Sequence, residues 1–569
     1  MVCAVTGNAA TRALTSVLSL CLLAGALAAP AAAQRREPAA AVVRLPFPQY
    51  DGGLTPYTFE LGYPLMTLVY DTLMWRDAEG VPQPWLADSV QRSRGGRRLT
   101  IRLRGDARWH DGRPVTADDV AFTFRLFATR RQPRFTPQLD AVEEVRAAGR
   151  LTATIDLRRP SLGFDDQPLS DVPILPRHLW SDLPAGRDVP AGLAIGSGPY
   201  RLTRASRERG YVLRANRDYF RGRPRVGELR VPIISDADEI FEALRERRVD
   251  MVPLSVPPGQ RGVAGLGIAV RRGPWYSGTM LVLNTRRPPF DSAPARRAIA
   301  DAMELSRIAR NVARSEPADS GFLHPESQWA TGRPVHVDDV AAARRAAAEL
   351  QLPRIRVLTA ESDPFRAEAG RQVVLALRRA GITANSVELT SSQLGRAIGE
   401  DGSAADFDAA ITSIPPQVSY DPNYLRLLFG SEPRAAPLNF SGYRSDAFDA
   451  AARRVADAPT VAQRRRAIVD ELQVLEREAP AIPLFFSEGA FAHRTVIYNG
   501  WTYIKGIGIF DKRSFLPGTV PMRRERTPVV ATGDEGGGTA LSVLNVLSLL
   551  VLGGVIVLAI YAVAQRRRT

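Results

Sequence analysis

RIRVLTAESDPFRAEAGRQVVLALRRAGITANSVEL, residues 354–389, decides the fold class. Residues 354–360 read as a strand, 363–381 as a helix and 382–389 as a second strand. Gly381 stands where a left-handed C-terminal cap is needed. The short helical pattern SQLGRAI (392–398) and the apolar strand FDAAITSI (407–414) follow. This alternation predicts an α/β domain with a largely parallel sheet.

The same reading extends outward. LTIRLR (99–104) and LTATIDL (151–157) alternate with period two, as half-buried strands do. DSAPARRAIADAMELSRIA (291–309) predicts one helix capped at Asp291 or Ser292, with Ile299, Ala302 and Met303 on one face. SDAFDAAARRVAD (445–457) and VAQRRRAIVDELQVLEREAP (461–480) predict a helical pair ended by Pro480. RWHDGRPVTADDVAFTF (108–124) superficially resembles an active site. Asp111-Gly112 instead reads as a tight turn. Thr116 and Asp119 form a capping-box pair, and acids at 118 and 119 suit a helix N-terminus. His110 is assigned a structural role at the turn. The five histidines, His110, His178, His324, His336 and His493, show no metal-ligand spacing, so no metal site and no cofactor are expected.

The 569 residues exceed one core and imply two or three domains. Arg12, the apolar run Leu14–Ala29 and an A-x-A point after Ala33 mark residues 1–33 as a secretory signal. Cys21 follows Leu20, not a small residue, so lipidation is not expected. Cys3 and Cys21 both lie in that signal, which leaves no disulfide and no thiol chemistry afterwards. Residues 523–539 are a polar, Gly-rich tether. The uncharged run Leu541–Ala564 is long enough to span a bilayer, and Arg566, Arg567 and Arg568 follow it. A membrane helix over 540–564 with a cytoplasmic tail, 565–569, is expected, the folded part lying outside. Net charge is +15, yet Lys505 and Lys512 are the only lysines. The arginines are scattered among acids without an aromatic-interleaved stripe, so nucleic acid is not an expected partner.

The stretch IRLRGDARWHDGRPVTADDVAFTF (101–124) resembles a signature of the extracellular solute-binding proteins of family 5, the peptide-binding components of ABC importers. LVYDTLMWRDAEGVPQPWLADSV (68–90), DVPILPRHLW (171–180) and IGSGPYRL (195–202) match further family elements in order. So do ANRDYFRGRPRVGELRVPII (215–234), EALRERRVDMV (242–252), MLVLNTRRPPFDSAPARRAIADAME (280–304), LNFSGYRSDAFDAAA (438–452) and EREAPAIPLFF (476–486). The resemblance covers about Tyr57 to Tyr503.

The resemblance implies a type II-like periplasmic-binding-protein clamshell of two α/β lobes. Lobe one would comprise 34–275, with an extra subdomain at about 80–190, and 486–522; lobe two would comprise 276–485. It implies an extracytoplasmic, monomeric receptor that closes on a peptide or other small solute and passes it to importer permease subunits. A binding subunit for a membrane sensor, or a binder of a sugar or metal complex, is the alternative. An enzyme is not expected: Gly196-Ser197-Gly198 lacks the spacing of a nucleophile elbow. By position in the family, Tyr57, Glu60, Tyr63, Trp275, Tyr276, Tyr420, Asp421, Asn423 and Trp501 are candidate ligand contacts, and Gly278 is hinge backbone. The family's oligopeptide binders place an aspartate about four residues before a Pro to hold the ligand's α-ammonium. Here Val418 stands four before Pro422, with Asp421 adjacent, which predicts a ligand without a free amine or one gripped differently.

Overall fold

The computed structural model describes residues 42–518, apart from 60–61, 184–193, 255–266, 313–314, 333, 362, 401 and 434. The expected signal segment, tether and membrane run lie outside the described residues. Within them, no helix is long and apolar enough to cross a membrane.

Two long antiparallel strands organise the chain, Ile268–Leu283 and Ala481–Arg494. At one end Met251–Pro253 pairs with the second of them. At the other, Ala409–Ile414 pairs with the first, followed in the sheet by Ile355–Ala360 and Ala384–Leu389. Their pairing register shifts between Pro274 and Gly278. Pro274 has no N–H to give to the ladder. At Gly278 an added Cβ would lie 2.8 Å from the Phe486 ring.

The strand-helix-strand reading of 354–389 holds. Ile355–Ala360 and Ala384–Leu389 are parallel, joined by the helix Pro364–Arg379. The sheet is mixed and not largely parallel: its two longest strands run into and out of the region and must oppose each other. Alternation along the first long strand sends Leu281 and Leu283 into one core and Met280 and Val282 into another. Both sheet faces are therefore covered. The single helix expected over 291–309 is two, Ala293–Asp301 and Leu305–Val312. The break lets Ile299 and Met303 share a core with Leu305, Ile308 and Val312.

A separate core joins residues 43–231 with Phe491, Trp501, Tyr503 and Phe515. It contains a four-stranded sheet, Val42–Arg44, Glu228–Val231, Gly210–Ala215 and Tyr200–Ser206, and an antiparallel sheet of Ala87–Ser93, Arg98–Leu103, Thr152–Leu157 and Val142–Gly149. Leu99, Ile101 and Leu103 pack with Val120, Phe124 and Phe127 of the helix Ala117–Thr129. That helix has the expected capping box, Asp119 accepting from Thr116 N at 2.8 Å. His110 is buried in a turn contact, its Nε2 3.0 Å from Gly198 O. The two-lobed α/β architecture follows from these separate cores bridged by two long strands.

Lobe one is closed by a buried ion pair. Lys512 Nζ lies 2.8 Å from Asp71 Oδ1, and both side chains are fully excluded from solvent. Trp85, Tyr219 and Ser197 also donate to Asp71, so the carboxylate is well satisfied. Burial lowers the Lys512 pKa, a drop opposed by Asp71. Lys512→Met should cost about 3–5 kcal/mol in urea unfolding, because Asp71 would stay buried without its counter-charge. A loss below about 1 kcal/mol would show that the pair is dispensable.

Candidate functional site between the lobes

Pro415 and Pro416 end the strand Ala409–Ile414, and the chain turns into two short helical segments, Gln417–Tyr420 and Pro422–Tyr424. Asp421 caps the second by accepting from Asn423 N at 3.0 Å. This loop faces lobe one. The Arg76 guanidinium sits 3.7 Å over the Tyr420 ring, a cation–π geometry. Tyr420 OH donates to Lys505 O at 2.6 Å. The Tyr276 ring lies 5.0 Å from both Tyr420 and His324, and Lys505 pairs with Glu326 at 2.8 Å. Burial raises the phenol pKa of Tyr276 and Tyr420, so both remain hydroxyl donors.

Asp421 is already committed. Its carboxylate pairs with Arg464, and both side chains are nearly excluded from solvent. Arg464 also stacks on Trp329, 4.6 Å from the ring centre. From lobe one, Gly163 approaches this pair so closely that an added Cβ would stand 2.7 Å from Asp421 Cγ and 2.9 Å from Arg464 Nη2. Arg426 donates to Pro137 O at 2.8 Å and pairs with Asp140 at 3.0 Å, and Arg159 pairs with Asp457 at 2.9 Å. The lobes are thus in contact along a seam of polar pairs.

A narrow cavity of about 30 Å³ remains in the seam. Among its lining atoms Gln138 Oε1, Gln167 Nε2, Asn423 Oδ1, Arg426 Nε and Arg464 Nε and Nη1 are buried without a protein partner. Buried polar atoms normally have partners. Unspent polar atoms from both lobes thus surround one interlobe space of about the volume of a water.

Glu471 lies two helical turns beyond Arg464 on the helix Val461–Glu478, and it is fully buried with both oxygens unpartnered. Burial pushes its pKa well up; Arg464 and Arg454 oppose the rise and Asp421 adds to it. The folded state therefore holds a proton that the unfolded chain releases near pH 4.3. Folding stability from this group is full below that pH and falls as pH rises toward the elevated folded value. Glu471→Gln should remove this loss and raise the melting temperature at pH 7–8 relative to pH 4. A variant that tracks the parent at every pH would refute the assignment.

The candidate residues divide. Tyr276, Tyr420, Asp421 and Asn423 come together at the seam. Tyr63 joins through Arg134, which lies 3.8 Å over its ring and pairs with Asp171 at 2.7 Å. With the Gln417 amide oxygen turned toward it, Arg134 donates across the seam at 2.7 and 3.0 Å. Tyr57 lies apart: its ring packs on Phe127 and Trp180, its hydroxyl donates to Arg130 O, and burial pushes its pKa to about 12. Trp275 is half-buried against Phe491 at 5.5 Å. Trp501 is 1% exposed within the lobe-one core, its indole N–H spent on Tyr498 O, so it does not reach the seam. Glu60 lies outside the described residues. Ser197 is fully buried and donates to Asp71. No three His, Cys, Asp or Glu side chains cluster as a metal site among the described residues.

Sequence reasoning missed Arg76, Arg134, Gln138, Gln167, Arg426, Arg464 and Gly163. For Arg464 a signal existed: positions 464, 467, 468, 471, 472 and 475 form one buried stripe, and a charge on such a stripe is unusual.

The chain resembles the peptidoglycan-binding protein YepA of Agrobacterium fabrum, with 27% identity over 298 residues, 46% of each chain. A likeness to the probable di/tripeptide-binding protein 5 of Pseudomonas aeruginosa gives 26% identity over 351 residues, 55% of this chain and 66% of the relative. The match thus spans about half the length of the first of these. Among solved structures, the substrate-binding protein CtaP of Listeria monocytogenes superposes with a TM-score of 0.73 at 20% identity, over 84% of this chain and 99% of that one. The pattern of the bacterial extracellular solute-binding proteins, family 5 middle, matches residues 81–436, well over half of the sequence. The chain belongs to the bacterial extracellular solute-binding proteins of family 5.

Proposed function

We propose that this protein captures a peptide or peptide-like solute between its lobes outside the cytoplasm and delivers it to an ABC importer. The observation that carries this reading is the set of buried, unpartnered polar groups contributed by both lobes to one interlobe space. The peptidoglycan- and peptide-binding names of the relatives agree with it. Lobe one is 34–275 with 486–522, and lobe two 276–485; the register shift at Pro274–Gly278 supports a hinge there. The protein works as a monomer without cofactor or catalysis. Residues 1–33 direct export, and the run 541–564 tethers the protein to the membrane. A chain truncated after residue 539 that resists carbonate washing from membranes would contradict the tether.

The ligand is not held by an α-ammonium at Asp421. Arg464 neutralises that carboxylate, and displacing it would leave a buried guanidinium unpaired, at a cost of several kcal/mol. Calorimetry with matched free and N-acetylated peptide pools tests this, alongside mass spectrometry of any solute retained through purification. The acetylated pool should bind at least as well as the free one. Tight binding of the free pool alone, abolished by Asp421→Asn, would overturn the ligand assignment. Binding of neither pool, and no retained peptide, would remove the peptide reading itself.

A further inference from the structure

A second polar groove lies at the lobe-two end of the first long strand, and it shares no lining residue with the interlobe cavity. Its volume is about 580 Å³, and Arg286, Arg296 and Arg444 line it, with Asp291 as the one carboxylate-bearing residue among the described lining residues. These three arginines form no ion pair with any described residue. Their neighbours Arg287 and Arg297 do, with Asp406, Asp408, Asp301 and Glu476.

Arg296 is the unusual member, only 6% exposed. Its Nε donates to Glu478 O at 2.7 Å, and its Nη1 to Phe290 O and Asp291 O at 2.8 and 3.2 Å. Among the described residues its Nη2 has no acceptor. No carboxylate oxygen bonds it, so the nearby charges of Glu478 and Asp291 offset its desolvation cost only in part. Burial accordingly lowers the pKa of both Arg296 and Arg286. Arg286 is exposed but fixed, donating to Phe440 O at 2.8 Å and lying across Gly442. A Cβ at Gly442 would fall 2.6 Å from Arg286 Cγ and Cζ, so the glycine makes room for that placement. The helix Ala293–Asp301 begins beside the groove, and its N-cap Ser292 makes no side-chain cap bond. Its first-turn N–H groups add positive potential there.

We propose that this groove binds a phosphate group, gripped by Arg286 and Arg444 at the rim and Arg296 at the floor. A guanidinium edge matches phosphate oxygens two at a time, Arg296 adds its Nη2 from below, and donors from three directions around one space suit a tetrahedral anion better than a planar carboxylate. The phosphate is carried by a lipid headgroup or is free in solution, two sources with the same chemistry at the groove.

The test is calorimetry on the purified full-length chain with two probes, inorganic phosphate and glycerophosphoglycerol, at matched ionic strength in chloride. Saturable binding is expected. The double variant Arg286→Ala/Arg444→Ala should weaken it by about tenfold or more with the melting temperature unchanged. Arg296→Lys, which keeps the charge but loses the Nη2 donor, should also weaken it. Preference for the diester identifies a lipid headgroup; preference for inorganic phosphate identifies the free ion. Saturable binding of neither probe, or equal binding by parent and double variant, overturns the proposal. None of these readouts depends on interlobe capture.

Discussion

Gly163→Val is expected to hold the lobes apart. In the closed arrangement the new side chain would overlap the Asp421–Arg464 pair, two groups fixed by burial and by each other. Neither can withdraw cheaply. Arg464 is wedged on Trp329, and Asp421 caps the turn at Pro422. Gly163 itself has no left-handed backbone angle that would penalise a side chain. Opening the hinge relieves the overlap at less cost than repacking lobe two, because the seam consists of polar pairs that water can replace. Small-angle scattering should therefore show a larger radius of gyration for the variant. Its melting temperature should stay within a few degrees of the parent, and solute affinity should fall by about 100-fold or more, roughly 3 kcal/mol. An unchanged radius and affinity would mean that Gly163 does not govern closure.

The second expectation concerns acid. His110, His324 and His493 are buried, and desolvation depresses each to a pKa of about 4. The unfolded chain binds their protons near pH 6.5. Their contribution to stability is thus complete above pH 6.5 and is lost as pH falls toward 4, by roughly 3 kcal/mol each. Asp166, which burial raises to about 6 against the pull of Arg76, and Glu471 act in the opposite sense, since each holds a proton more tightly in the folded state than in the unfolded chain. The test therefore compares the parent with the triple variant His110→Gln/His324→Gln/His493→Gln, in which those carboxyl contributions cancel. The difference in unfolding free energy should shift by about 10 kcal/mol between pH 6.5 and 4, a large part of a usual domain stability of roughly 5–15 kcal/mol. Parallel pH profiles would show that the three imidazoles are not held neutral.

Much of the scaffold was legible because local signals agreed. The strand-helix-strand of 354–389, the capping box at Thr116 and Asp119 and the pair of helices ended by Pro480 each carried periodicity and a punctuating residue together. The sheet's mixed direction was not legible, because strand polarity depends on where the chain goes between strands. The division of the site residues has a similar cause. Tyr420 and Trp501 look alike as aromatic residues in loops, yet one faces the seam and the other fills a core. Only the loop that starts at Pro415-Pro416, which turns the chain toward lobe one, separates them. Arginine was the least informative letter. In a chain with nearly all of its cations as Arg, the residue type says little, and Arg76 and Arg134 stand out only once their acidic partners are in place. Arg464 and Glu471 were readable by position, as charges on an apolar stripe.

The pair Lys512–Asp71 joins residues 441 apart in sequence. Trp75 likewise donates to Asp511 across 436 residues. The two cores that gather residues 280–486 come from one continuous stretch, so they can consolidate while the chain is still being made. Lobe one cannot. Its Asp71 pocket stays open until the last described segment arrives, and the unpaired carboxylate with its surrounding tryptophans is exposed for that whole interval. Assembly order is thereby imposed by topology: the segment Lys512–Phe515 acts as a late-arriving bolt, and a premature stop before residue 512 leaves the second lobe's cores complete beside a first lobe whose Asp71 pocket stays unfilled.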